Sequence, residues 1–318
     1  MGVAGIQNRN EVPGTIFSQP WWLDAVAPGQ WGEVTVDKGG QLFARLPYVV
    51  KKRRGFTLLT MPPLTQTLGP WLRPYPGKYV NRLSEEKELM TELIEQLPPF
   101  DLFLQNFHYS ITNWLPFYWK GFQQTTRYTY VIEDLDDLDQ VWANMSERAR
   151  RGIRKAERLG IVVEESNDIE TFLDLNEMTF RRQGKALPYS RDLVRRLNAA
   201  CVEKGARKLY IAYGQDGKPH TGLFCVYDEN AMYYLMQGGD PDLRSSGANY
   251  LATWESIKFA SRVSKVYDFE GSMIEPVEHF FRSFGARQKP YFQVRKINSL
   301  LLKMYQDVRT WLRIWRGR

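Results

Sequence analysis

Residues 232–272 read MYYLMQGGDPDLRSSGANYLATWESIKFASRVSKVYDFEGS, and the rest of the chain is arranged around them. Met232 to Met236 is a short apolar, tyrosine-rich run with the composition of a buried strand. A Gly-Gly-Asp-Pro turn and a polar loop, Asp242 to Gly247, follow. Tyr250, Leu251, Trp254, Ile257 and Ser261 then recur at helical spacing, which predicts a helix over Ala248 to Arg262. Val266 to Phe269 reads as a second strand, closed by Glu270-Gly271-Ser272. A unit of strand, glycine loop, helix and strand leaves backbone N–H groups open at the helix start, a seat for a phosphate or carboxylate.

The loop Arg244-Ser245-Ser246-Gly247-Ala248-Asn249 resembles the acyl-CoA pyrophosphate loop of GNAT acyltransferases, Arg/Gln-x-x-Gly-x-Gly/Ala. It matches at Arg244 and Gly247 and departs at Asn249, where a small residue is usual. A serine-glycine loop before a helix also serves as a plain N-cap. The wider pattern is similar to the FemAB-like branch of that superfamily: Gly247 to Leu251, Trp254 to Lys258, Tyr267 to Gly271, and Phe284-Gly285-Ala286. That likeness runs from Phe17 to about Lys296. It implies a mixed α/β chain of two tandem GNAT-like halves, each a mostly antiparallel mixed sheet flanked by helices.

A chain of 318 residues with 43% hydrophobic and 25% charged residues has the composition of a soluble globular protein. No apolar leader opens it, and no run reaches the roughly 18–20 apolar residues of a spanning helix. Cys201 and Cys225 stand apart, in no metal or disulfide pattern. A cytoplasmic protein is expected. Of the net charge of +7, the segment 298–318 supplies +4, from Lys303, Arg309, Arg313, Arg316 and Arg318 against Asp307. The body is therefore only mildly basic, and no DNA partner is expected.

Three strands with glycine turns are predicted over Glu33–Val36, Leu42–Val50 and Phe56–Met61. The spans Glu33–Pro63 and Leu209–Gly239 have the same length and the same rhythm of turns, as expected for two copies of one fold. In the first copy a proline-rich loop, Met61 to Pro70, occupies the place of the glycine loop. Pro62, Pro63 and Pro70 lack N–H donors, so this half is expected to have lost donor binding. Ser84 is read as the cap of a helix ending at Gln96. The expected divisions are 1–125 for the degenerate half, 126–297 for the donor-binding half, and 298–318 for a basic amphipathic helix. From Leu301 to Trp315, apolar residues recur every three or four positions, with arginines opposite, the pattern of a helix lying in a membrane interface. Peripheral membrane contact through 298–318 is the expectation.

The histidines His108, His220 and His279 share no ligand spacing, so no metal is expected, and no nucleophile-base arrangement is legible. Direct acyl transfer needs neither: it asks for a base at the acceptor and donors for the developing oxyanion. Asp268 is the candidate base, on a strand where burial would raise its pKa; holding the turn that follows is its structural alternative. Tyr234 is the candidate phenol donor. Asp136 to Leu159 is strongly periodic, with Ser146 capping a second segment. Its polar face carries Arg150, Arg151 and Arg154 with only Glu157 interleaved between 148 and 158, an anion-site pattern. In the family resembled, Arg-x-x-Ile-Arg-Lys-Ala-Glu lies near the acceptor cleft. Lys51, at the end of a strand, is expected to join these arginines.

The resemblance thus implies transfer of an acyl group, acetyl first, from acyl-CoA to an amine or hydroxyl of a cell-envelope sugar or lipid-linked precursor. The acyl-CoA is a cosubstrate; no tightly bound cofactor is expected. Two alternatives stand beside it. One is aminoacyl transfer from charged tRNA to a peptidoglycan precursor, the only reading in which tRNA enters. The other is a non-catalytic membrane-associated module.

Overall fold

The computed structural model describes residues 12–271 and 273–305. They fall into two compact units: the described residues up to Arg127 together with those from Tyr291 on, and Tyr128–Pro290.

The first unit opens with α1 (Pro20–Val26), then β1 (Trp31–Lys38), β2 (Gln41–Arg53) and β3 (Phe56–Thr60), an antiparallel meander. Its first turn holds Gly39 and Gly40 at positive φ, where a side chain would be strained. β4 (Trp71–Leu72) pairs with β2. The crossover helix α2 (Tyr79–Gln96) then leads to β5 (Leu102–Asn106), parallel to β3, and the short α3 (Leu115–Trp119) follows. Ser84 lies inside α2 rather than at its cap. Its Oγ donates back to the Val80 carbonyl, so the helix starts five residues earlier than expected. The core interlocks Leu46, Leu59, Leu89, Leu93, Phe103 and Phe117. Buried Arg45 draws the start of the described chain onto β1 and β2, donating to Glu33 and to the Pro13 and Ser18 carbonyls.

The second unit has strand order β6-β11-β10-β9-β8-β7. β6 (Gln123–Ile132) is followed by α4 (Leu138–Asn144) and α5 (Glu147–Arg158). The expected break falls at Ser146, whose Oγ accepts the Ala149 N–H at 3.3 Å. β7 (Val162–Glu165), α6 (Ile169–Arg182) and α7 (Arg191–Glu203) lead into the antiparallel run β8 (Arg207–Tyr213), β9 (Pro219–Tyr227) and β10 (Ala231–Gly239). After β10 come α8 (Ala248–Ala260), β11 (Val266–Asp268), α9 (Glu275–Arg282) and β12 (Arg287–Ile297). Strand alternation divides β9 between two helical layers. Leu223 and Cys225 join the core under α5 and α8, whereas the Phe224 ring meets Phe172 of α6.

Gln293–Ile297 of β12 pairs antiparallel with β5. Residues 291–297 therefore group with the first unit, where the sequence placed them with the second half. Beyond β12, residues 300–305 are helical, and the rest of the expected terminal helix lies outside the described residues.

Candidate active site

β10 and β11 run parallel, but only Ala231–Tyr233 pair with Val266–Asp268. β10 continues six residues further, bonded to β9 across a bulge between Tyr234 and Met236. The next residue on the β11 side, Phe269, instead donates to the Tyr130 carbonyl of β6. The sheet thus parts just beyond Tyr233 and Asp268, and the polar loop after β10 leads to the start of α8.

That start is shaped by close helix packing. Arg244–Ser246 forms one tight turn, and Gly247 follows at φ +84°. A Cβ on Gly247 would lie 2.3 Å from the Gly152 carbonyl oxygen of α5, and one on Gly152 would lie 2.5 Å from the Tyr250 ring. Both glycines are required by the contact between α5 and α8. Ser246 is buried, its Oγ 3.0 Å from His220 Nδ1 and 3.3 Å from the Ala248 N–H it accepts. Ser246, Gly247 and Ala248 therefore form the inner wall of the loop. Arg244, Ser245 and Asn249 line an open cleft of about 540 Å³ with Arg148, Asp242, Tyr250, His279 and Phe280. Two guanidinium groups and an imidazole face one carboxylate beside a helix N-terminus, an arrangement that attracts an anion.

Asp268 is buried at the parting of the strands. Its Oδ1 accepts from Thr129 Oγ1 at 2.5 Å and from the Glu270 N–H at 2.8 Å. Burial pushes its carboxyl up to about 6, and those two hydrogen bonds oppose the shift. Glu270 sits at φ +58° and Gly271 at φ +67°; a Cβ on Gly271 would lie 2.1 Å from the Tyr128 carbonyl oxygen. Burial, and then the neighbouring Asp268 charge, holds the Glu270 carboxyl well above the usual range. Asp268 both carries a raised pKa and holds this turn.

Tyr234 is buried, its ring 5.8 Å from Phe269, 5.2 Å from Phe281 and 6.4 Å from Phe280. Burial raises its phenol well above 10. Phe280 lines the cleft and also stacks on Tyr250 at 5.0 Å, so it joins the cleft wall to Tyr234.

The basic face of α5 is less free of carboxylates than the window 148–158 suggests. Glu147, one residue outside it, pairs with Arg150 at 3.2 Å and with Arg151 at 2.9 Å. The Arg154 guanidinium lies 5.7 Å from the Trp142 ring centre. None of the three lines the cleft; Arg148, on the first turn of α5, does. Lys51 belongs to the first unit, where its Nζ donates to the Met61 carbonyl at 3.3 Å and burial lowers its pKa. Sequence reasoning missed Arg148, His279 and Phe280 as cleft residues. His279 and Phe280 arrive on α9, and no spacing links them to the loop. Glu270 was legible as a second carboxylate beside Asp268 but was read only as part of a turn. Among the described residues no group of three or more His, Cys, Asp or Glu side chains is placed to hold a metal ion. No helix there is long and apolar enough to cross a membrane.

Residues 143–275 match the family model described as an acetyltransferase (GNAT) domain. No curated protein matches the chain in sequence. Among solved structures, FemX aligns over 94% of this chain and 95% of its own, at 14% identity and a TM-score of 0.65. The C-terminal domain of a protein from Agrobacterium fabrum, assigned to lysylphosphatidylglycerol synthetase, aligns over 88% of each chain at 11% identity and a TM-score of 0.53. A tandem GNAT protein from the clavulanic acid biosynthesis pathway aligns over 86% of this chain and 85% of its own, at 10% identity and a TM-score of 0.50. At these identities the likeness is one of fold.

Proposed function

We propose that this chain, which carries a GNAT-type acetyltransferase domain in a FemAB-like fold, transfers an acyl group from acyl-CoA to an amine or hydroxyl of a cell-envelope sugar or its lipid-linked precursor. The observation that carries the reading is the cationic cleft at the start of α8, next to the parting of β10 and β11. A pyrophosphate would meet Arg244 and Arg148 beside the N-terminus of α8, where the Ala248 N–H is already held by Ser246 Oγ. The acyl thioester would then lie toward the gap between the strands. There the acceptor attacks the thioester carbonyl directly, its proton passing to a base and the thiolate leaving with CoA. Asp268 is the proposed base, since a carboxyl near 6 is largely ionised at neutral pH and more basic than an ordinary carboxylate. Tyr234 sits behind the cleft wall; its proposed part is to fix Phe280 and Phe269 around the reacting groups.

The test is calorimetric titration of CoA and acetyl-CoA into the wild type, Arg244→Glu and Arg148→Glu. Each substitution is expected to weaken binding by on the order of tenfold or more. Unchanged affinity in both variants refutes the assignment of the cleft. A second reading, aminoacyl transfer from charged tRNA, is supported by the FemX likeness along nearly the whole chain. Titrating aminoacyl-tRNA in parallel decides between them: binding of tRNA but not CoA selects the second. Binding of neither leaves a non-catalytic module.

A further inference from the structure

The strands that flank the parting bring a threonine to the candidate base. Tyr130 and Ile132 of β6, with Tyr267 of β11 and Phe269 just after it, belong to the core under α5 and α8. Strand alternation turns their neighbours Thr129, Val131 and Asp268 to the opposite face of the sheet. Asp268 pairs with Val131 across the antiparallel ladder and with Tyr233 across the parallel one. Its carboxyl therefore leaves the sheet at the parting, on the face away from α8. Beside it on this face stand Tyr233 of β10, Thr129 and Val131 of β6, and the turn that carries Glu270.

Both hydrogen bonds to that carboxyl fall on one oxygen. Thr129 Oγ1 donates to Oδ1 at 2.5 Å, and the Glu270 N–H donates to it at 2.8 Å. Among the described residues Oδ2 accepts none. Thr129 is 2% exposed, so its hydroxyl is withdrawn from water and depends on this bond. The Glu270 N–H reaches Oδ1 from a left-handed backbone, φ +58°, which a residue with a side chain adopts at a cost. A carboxylate that only tied the turn would need the Glu270 N–H alone. The bond from a second strand fixes the plane of the carboxylate as well.

We infer that Thr129 is the positioning residue for Asp268: it holds Oδ1 and leaves Oδ2 to take the acceptor's proton. The inference rests on the reading of Asp268 as the base. As the acceptor's lone pair bonds to the thioester carbon, its N–H or O–H proton passes to Oδ2. The C–S bond then breaks, and its electron pair leaves with the sulfur of CoA. Thr129 keeps its own proton throughout. Its bond favours the ionised carboxylate and so opposes the effect of burial, as does the bond from Glu270.

The test is a carbon-13 titration of the Asp268 carboxyl in the full chain, its signal identified by loss in Asp268→Asn. Wild type, Thr129→Val and Thr129→Ser are compared, with melting curves to check folding. Valine has the shape of threonine without the hydroxyl, so Thr129→Val should raise the proton affinity of the carboxyl on the order of tenfold. Thr129→Ser keeps the donor and should titrate like the wild type. The acidic limb of the kcat profile should move to higher pH in Thr129→Val alone. A second measurement needs no variant: the Thr129 hydroxyl proton should be protected from exchange, and its resonance should follow the Asp268 titration. Thr129→Val titrating like the wild type overturns the proposal, as does a hydroxyl proton exchanging at the rate of a free one. So does Thr129→Ser titrating like Thr129→Val, which would assign the effect to the methyl group. If the titrations come out as expected and Asp268→Asn keeps its kcat, the base reading falls and with it the role of Oδ2, while the hold on Oδ1 stands.

Discussion

At the scale of single residues, Asp268 concentrates the chemistry and its cost. Its carboxyl titrates near 3.8 when unfolded and about 6 when folded. Between those values the folded state keeps a proton that the unfolded state has released, so stability falls as pH rises through that window. The difference of about two pH units corresponds to about 3 kcal/mol, lost by pH 7. Asp268→Asn keeps an oxygen that can accept from Thr129 and Glu270 and cannot ionise. Urea unfolding at pH 4.5 and 7.5 should therefore show the wild type losing stability relative to Asp268→Asn by about 2 kcal/mol, the first part of the loss having occurred below pH 4.5. Parallel pH profiles would remove ionisation of Asp268 as the cause. In the same variant kcat should fall by on the order of a hundredfold, against which a purely structural carboxylate would leave kcat in place.

At the scale of elements, the contact between α5 and α8 decides how the loop can be probed. Gly247 has both a left-handed backbone and the Gly152 carbonyl where its Cβ would be. Gly247→Val therefore disrupts helix packing whatever the loop binds. Even Gly247→Ala should cost about 2 kcal/mol or more in chemical denaturation. Gly152→Ala meets the Tyr250 ring instead, and a side chain can give way. Its cost should be about 1 kcal/mol and should shrink in the Tyr250→Ala background, a coupling that a double-mutant cycle measures. Additive losses would place the strain elsewhere. The strand, loop and helix around this contact were legible because local pattern dictates them: a continuous apolar run in β10, a glycine in the loop, and a helical stripe in α8. The Ser146 cap was legible for the same reason. α9 was not, and with it His279 and Phe280 stayed hidden. It is eight residues long, and its apolar stripe of Val277, Phe280 and Phe281 spans little more than one turn, too short to stand out from the loop before it. The role of Gly247 was half legible: the sequence shows the glycine, but only the packing of two helices distant in sequence shows why no side chain fits.

At the scale of the molecule, the two meanders were legible from their matching rhythm of strands and turns, but the long-range pairing of β12 with β5 leaves no local trace. The second unit is one continuous stretch, Tyr128–Pro290, whereas the first is built from both sides of it. A fragment of residues 1–127 should accordingly be aggregation-prone, with the edge of Leu102–Asn106 unpaired. The same fragment joined by a flexible linker to residues 291–305 should gain solubility, measured by ultracentrifugation of the two. Equal behaviour would mean that the final strand contributes little. The same interleaving sets an order of events during synthesis. The partner of β5 leaves the ribosome only after the whole of Tyr128–Pro290 has been translated. At roughly 5–20 residues per second that is a wait on the order of ten to thirty seconds. Throughout it, the nascent first unit carries an open edge that reads Leu-Phe-Leu-Gln-Asn. The strand that shuts the edge of β5 is thus made after the whole second unit, and the chain stays open to its neighbours until β12 has emerged.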